Sequence, residues 1–175
     1  MGMRAFISLT VFTWSSWNSA SVIPNKNNFF PPKCAVRVVF AELRKINNFE
    51  ENEIIIAGVS GQGFALADML SKHLSEISSI KAIPVEILLN KEVPYESPVR
   101  FSADIKTFEN KVIIVVDDVL NTGRTFSYSL APFLSIPVKK LQVAVLIDRN
   151  YRKFPIAADY KGYELSTTIA EHVEV

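Results

Sequence analysis

Val112-Ile-Ile-Val-Val-Asp-Asp-Val-Leu-Asn-Thr-Gly-Arg-Thr125 runs from a block of β-branched residues, through two adjacent carboxylates, into a small polar loop. The lack of alternation over Val112 to Val116 predicts a parallel strand covered on both faces. Asp117 and Asp118 follow at its carboxyl end, where open α/β sheets bind their ligands. Asn121 to Thr125 then offers consecutive backbone N–H groups, two hydroxyls and a glycine where a helix begins. Helix N-termini carry unpaired donors and partial positive charge, so such a loop suits a phosphate monoester. Acids beside a phosphate cradle fit a sugar phosphate, with the carboxylates on its hydroxyls and the loop on its phosphate. The alternative is an ordinary strand–turn–helix in which Asp and Thr serve only as caps.

On either side of this stretch the chain alternates helix and strand, without internal repeats. Residues 34 to 46 can form a helix with Val36, Val39, Phe40 and Leu43 on one face. Glu53 to Gly58 reads as a short buried strand, and Gly58 to Gly63 as the loop after it. Phe64, Leu66, Ala67, Leu70 and Leu74 give the next helix its apolar stripe. Ile83 to Leu89 and Leu141 to Ile147 complete the predicted strands. Residues 90 to 111 form a long polar connection broken by Pro94 and Pro98, and connections of that length in compact domains are commonly functional. The order implies an α/β fold with a doubly wound, mainly parallel sheet.

A chain of 175 residues can bury a substantial core as one domain. With 49% hydrophobic and 21% charged residues, the composition is that of a folded protein. A net charge of +1 gives no global electrostatic case for nucleic acid binding. The single cysteine, Cys34, cannot form an internal disulfide and suits a reducing compartment. No apolar run reaches the roughly 18 residues of a membrane-spanning helix. Residues 1–33 stand apart from the 34–175 domain, with Pro31-Pro32 at the boundary. Arg4 and the apolar stretch Phe6 to Trp14 give them a diluted signal-peptide character. A poorly ordered extension or a misplaced start codon explains them more simply. Neither His73, placed on a polar helix face, nor His172, near the C-terminus, reads as a catalyst, and no Cys/His cluster suggests structural zinc.

The 112–125 stretch resembles the phosphoribosyl-diphosphate (PRPP) signature of the type I phosphoribosyltransferases: four hydrophobic residues, two acids and a Thr-Gly-x-Thr loop. The resemblance implies that the catalytic pair Asp117 and Asp118 holds the ribose hydroxyls. By the same carry-over Asn121, Thr122, Gly123, Arg124 and Thr125 hold the 5-phosphate. It also implies a small hood and a flexible lid, the lid falling on residues 90–111. The loop Ala57 to Gly63 matches the family's diphosphate cradle, which assigns Ser60, Gly61, Gln62 and Gly63 to that group. Uracil-using relatives carry Thr-Arg where this chain has the uncharged Gly61-Gln62. Near the start of the lid, Asn90-Lys-Glu-Val93 stands where relatives have Tyr-Arg-Asp-Asp.

Asp148-Arg-Asn-Tyr-Arg-Lys-Phe-Pro-Ile-Ala-Ala-Asp-Tyr-Lys-Gly162 is similar to a segment of the PyrR-type proteins, bacterial pyrimidine-operon regulators that also act as uracil phosphoribosyltransferases. Ser166-Thr-Thr168, Glu171 to Val175 and Asn48 to Gly58 extend the similarity, which covers roughly residues 35 to 175. It implies that Asp148, Arg149 and Arg152 lie at the base pocket or hood, with Asp148 a candidate magnesium or diphosphate contact. The plain alternative is a solvated surface run of Arg149, Arg152 and Lys153. Purine-salvage members place an aspartate at the position of Asn121. An asparagine cannot act as a general base, which favours uracil over a purine.

The resemblance implies a cytoplasmic, homo-oligomeric pentosyltransferase that makes UMP and diphosphate from PRPP and uracil, in pyrimidine salvage. Mg2+ would arrive on the substrate, without a dedicated protein site. Transfer to another nucleobase ranks second. A nucleotide-sensing regulator of pyrimidine-operon RNA ranks third, with Lys139-Lys140 and Arg149, Arg152 and Lys153 as its basic residues.

Overall fold

Ile54 and Ile56 face one side of a central strand while Ile55, Ala57 and Val59 face the other, and all five are buried. A strand apolar on both faces requires cover on both, and the rest of the fold supplies it. The computed structural model describes residues 51–164. The 1–33 extension, the helix expected at 34–46, Cys34, His172 and the matched residues of the C-terminus lie outside the described residues.

Among the described residues six strands form one sheet: β1 (Glu53–Val59), β2 (Lys81–Leu88), β3 (Arg100–Phe101), β4 (Val112–Leu120), β5 (Lys140–Asp148) and β6 (Tyr160–Glu164). Their order is β3-β2-β1-β4-β5-β6. Only the β2–β3 pair is antiparallel. Helix α1 (Gln62–Ile77) covers one face with Leu66, Ala67, Leu70 and Leu74 against Ile54, Ile56, Val112, Ile114 and Val116. The other face carries α2 (Arg124–Leu130) and two 3-10 segments, Ile105–Phe108 and Ala131–Ser135. Phe126, Phe133 and Phe108 bury there against Ile55, Ile113, Val115 and Val145. Each such side chain contributes about 1.5–3 kcal/mol by leaving water. The sheet is therefore doubly wound and mainly parallel, as expected.

Three boundaries differ from the sequence expectation, each for a tertiary reason. Strand β4 continues through both acids to Leu120, because β5 pairs with it as far as Leu120 opposite Asp148. The loop expected at Gly58 to Gly63 shrinks to Ser60-Gly61, since β1 runs to Val59 and α1 starts at Gln62. The 90–111 connection is not wholly irregular, because Phe101 and Phe108 are drawn into an aromatic cluster. Phe101 lies 5.4 Å from Phe108 and 4.9 Å from Phe133, centroid to centroid. That anchorage creates β3 and the Ile105–Phe108 segment, leaving residues 89–99 as the open stretch. The edge strand β6 was not expected: its buried residue is Tyr160, whose hydroxyl donates to Gln142 Oε1 at 3.0 Å. None of the helices among the described residues is long and apolar enough to cross a membrane.

Candidate functional site

The carboxyl ends of β1, β4 and β5 bring the sequence-derived residues to one rim of the sheet. Gly58 and Gly63 make the junction tight. A Cβ on Gly58 would lie 2.5 Å from the Gly63 carbonyl oxygen, and one on Gly63 would lie 2.7 Å from Asp117 Oδ1. The first turn of α1 therefore rests directly on the end of β4. Gly61, at φ 87°, takes a backbone conformation that side-chain-bearing residues rarely adopt, turning the chain within two residues. The Ser60 N–H is taken by the Ile87 carbonyl at 2.9 Å, while the early amides of a helix have no partner within it, so the start of α1 at Gln62-Gly63 is where N–H groups are offered at this rim. Gln62 is exposed and uncharged.

Asp117 is almost wholly buried, at 3% exposure. Lys91, from the open 89–99 stretch, donates to its Oδ1 at 3.1 Å and its Oδ2 at 3.3 Å. Burial pushes the Asp117 carboxyl up to about 7, against the pull of the Lys91 ammonium. Asp118 is half-buried; its own N–H donates to Asp117 Oδ1, and its Oδ1 accepts from the Val119 N–H.

Beyond β4, Asn121-Thr-Gly-Arg-Thr125 turns into α2. Gly123 takes the left-handed conformation, φ 85° and ψ −2°. Thr122 Oγ1 accepts from the Arg124 N–H at 3.3 Å. Asn121 Oδ1 is buried and has no hydrogen-bond partner among the described residues. A buried acceptor left unmatched costs about 1–3 kcal/mol, which a donor on a ligand would recover.

The segment after β5 is fastened to this loop through backbone groups. Arg149 N–H donates to the Leu120 carbonyl at 3.0 Å, while Lys153 and Phe154 N–H both donate to the Thr122 carbonyl at 2.9 and 3.0 Å. Asp148, also 3% exposed, accepts from Arg152 Nη2 on both oxygens at 2.5 Å, and Arg152 Nη1 donates to the Asn121 carbonyl at 3.3 Å. Burial pushes the Asp148 carboxyl up, but the Arg152 hydrogen bonds and charge and the Asn150 N–H outweigh it. The carboxyl ends below the usual range. A cation at Asp148 would have to displace that guanidinium. Among the described residues no three His, Cys, Asp or Glu side chains gather into a metal site.

Sequence reasoning missed two residues of this rim, Lys91 and Tyr95. Tyr95 lies under the Arg124 guanidinium, 5.6 Å from ring centroid to Cζ, so the 89–99 stretch touches both acid pair and loop. The available signal was the Asn90-Lys-Glu-Val93 run, which places a cation at the start of the long connection. His73 is exposed and paired with Glu76, away from this rim.

Residues 32–175 match the model of the family described as phosphoribosyl transferase domain. A protein of Haemophilus ducreyi named bifunctional protein PyrR is 33% identical over 135 residues, covering 71% of this chain and 73% of that protein. The bifunctional protein PyrR of Fusobacterium nucleatum is 36% identical over 135 residues, covering 71% and 74%. Among solved structures, a hypoxanthine-guanine phosphoribosyltransferase from Bacillus anthracis superposes with TM-score 0.62 at 23% identity, covering 82% of this chain and 86% of that one. The hypoxanthine phosphoribosyltransferase of Trypanosoma cruzi in complex with IMP gives TM-score 0.59 at 18% identity, covering 76% of each. These two structural matches speak for the fold.

Proposed function

This chain belongs to the phosphoribosyl transferase domain family, and from that premise we propose that it transfers phosphoribose from PRPP to uracil, giving UMP and diphosphate. The observation that carries this is the junction of an acid pair, a left-handed Gly123 loop and a short glycine turn at one rim of a parallel sheet. In this reading Asp117 and Asp118 accept the ribose hydroxyls, and Asn121 to Thr125 hold the 5-phosphate through backbone amides and hydroxyls. Ser60 to Gly63 receive the diphosphate. Arg149, with Asp148 and Arg152 behind it, frames the base side. Support for uracil comes from the relatives named bifunctional protein PyrR and from Asn121, which has no basic group to take a proton from a purine.

The chemistry follows from charge. The anomeric carbon gains positive charge as its bond to diphosphate breaks, and the leaving group gains negative charge. Fixed carboxylates and amides hold the sugar so that little reorganisation is needed as the bond breaks. Bound magnesium would neutralise diphosphate charge. The 89–99 stretch, resting on Asp117 and Arg124, keeps water from the reacting carbon. A cytoplasmic location and a homo-oligomer accompany this reading.

The test is formation of UMP from PRPP, uracil and magnesium, with products separated by chromatography across a panel of bases. Asp118→Asn should lower turnover by about a hundredfold or more, the scale on which a positioned transition-state contact is lost. Normal turnover in that variant would remove the carboxylate's role. One observation favours a second reading, a nucleotide-sensing regulator of RNA: Gln62 brings no charge to the diphosphate turn. UMP-sensitive RNA retention in a filter assay at low salt, without turnover on any base, would select it.

A further inference from the structure

The diphosphate turn poses an electrostatic problem. Ser60, Gly61, Gln62 and Gly63 carry no charged side chain, yet a leaving diphosphate must be matched by positive charge. The lysines at the starts of the strands are excluded by topology. Lys81 is in register with Glu53 at the opening of β1, and Lys140 with Val112 at the opening of β4, a full strand length away. Arg124 is committed to the Tyr95 face on the loop side. Arg100 lies on β3, two strands out from β1 at the sheet edge.

Lys91 is differently placed. Its Nζ sits 3.1 Å from Asp117 Oδ1, the same oxygen that a Cβ on Gly63 would approach to 2.7 Å. The ammonium and the first turn of α1 therefore meet at one atom. An ammonium has three donors, of which Asp117 engages no more than two, and the Lys91 side chain is 40% exposed. Nothing at Gly63 or Gly61 projects between it and the turn.

We propose that Lys91 is a catalytic residue of the diphosphate subsite: anchored on Asp117 beside the first turn of α1, it supplies the positive charge that Gly61-Gln62 lacks. This rests on the phosphoribosyl transfer proposed above. In the step itself the bond from the anomeric carbon to the diphosphate oxygen breaks and the electron pair leaves with diphosphate. The bond from the uracil nitrogen to that carbon forms, and the uracil proton passes to solvent. Lys91 transfers no proton in this step and donates a hydrogen bond to the departing group. It also ties occupancy of the diphosphate turn to the position of the 89–99 stretch on which it is carried.

The experiment is calorimetric titration of the full chain with PRPP and magnesium, inorganic diphosphate and magnesium, and UMP. Wild type is compared with Lys91→Met, Lys91→Arg and Arg100→Met. UMP has the ribose phosphate but no diphosphate. Lys91→Met should weaken PRPP and diphosphate about 10- to 100-fold, the scale of one charged hydrogen bond, and leave UMP within about threefold. Lys91→Arg should keep most of the affinity, and Arg100→Met all of it. Equal losses for PRPP and UMP in Lys91→Met would make Lys91 only a support for Asp117 and overturn the proposal. So would unchanged PRPP affinity, or a loss seen in Arg100→Met instead. Wild-type protein that binds neither PRPP nor UMP overturns the transfer reading itself, and this proposal with it.

Discussion

Asp117, three residues before the end of β4, and Asp148, the last residue of the neighbouring β5, are both at 3% exposure, yet their surroundings drive them in opposite directions. Asp148 is held by a guanidinium four residues on, using both oxygens, and by the Asn150 amide. Its charge is matched from within its own segment. Asp117 has Asp118 beside it, glycine where a donor side chain would fit, and one cation reaching in from a connection 26 residues away. Its carboxyl is held near 7 by burial while that of Asp148 is depressed. The Asp148 side of this rim is thus locked by its own segment. The side proposed for ribose is left short of partners, as a receptor for hydroxyls and a charged leaving group should be.

The largest way to break this contrast is to remove the charge that costs most. With a folded value of about 7 against an ordinary 3.8, Asp117 contributes stability that is full below about pH 4 and is lost as pH rises through 7. The total is on the order of 4 kcal/mol at most. Asp117→Asn should therefore be more stable than wild type at pH 8 and equal to it near pH 4, as denaturant midpoints across that range will read. A variant less stable at pH 8 would mean that Lys91 compensates the buried charge in full.

Arg152→Met attacks the opposite pole. It strands a buried carboxylate and frees the Asn121 carbonyl, a loss of about 3 kcal/mol at pH 7. Because the Asp148 value is depressed, its contribution is present above the ordinary carboxylate range and is lost as pH falls through the folded value. Acid unfolding should consequently flatten in Arg152→Met. Chemical denaturation at pH 7 and in the acid limb measures both effects, and an unchanged acid limb would dismiss the pairing as a source of stability.

Gly63→Ala probes the packing against Asp117 without removing any ionisable group. Its Cβ would meet Asp117 Oδ1 at 2.7 Å and the Val116 carbonyl at 2.9 Å, so either α1 or β4 must shift. Overpacking of this kind costs about 1–3 kcal/mol. Thermal unfolding reads it, and no change in midpoint would show that α1 rides loosely on the sheet.

Legibility in the sequence followed the range of the interactions. Val112 to Val116 could be read because a strand buried on both faces needs an unbroken apolar run, and its neighbours β1 and β5 share that pattern. The acids and the Thr-Gly-Arg-Thr loop could be read because they are contiguous. Lys91 could not, since its partner is 26 residues distant and its own neighbours are polar. Strand β3 was hidden for the same reason: Phe101 joins Phe108 and Phe133 only once the chain has folded back. The fastening of the segment after β5 to Thr122 runs through main-chain groups, which every sequence possesses and none advertises.

Gly123 offers the smallest and most selective test, because two costs meet there and can be separated. At φ 85° any side chain is strained, and a Cβ would lie 3.3 Å from the Cβ atoms of Phe154 and Ile156. Gly123→Ala should lose about 1 kcal/mol from strain. The contacts themselves need only a shift of a few tenths of an ångström, so strain should dominate. Asparagine tolerates the left-handed region better than alanine but presents the same Cβ. Gly123→Asn should therefore recover at least half of the alanine loss in denaturant unfolding. If it recovers nothing, Phe154 and Ile156 pack so firmly on the loop that a tenth of an ångström matters, and the locked side of the comparison is tighter than its hydrogen bonds alone imply.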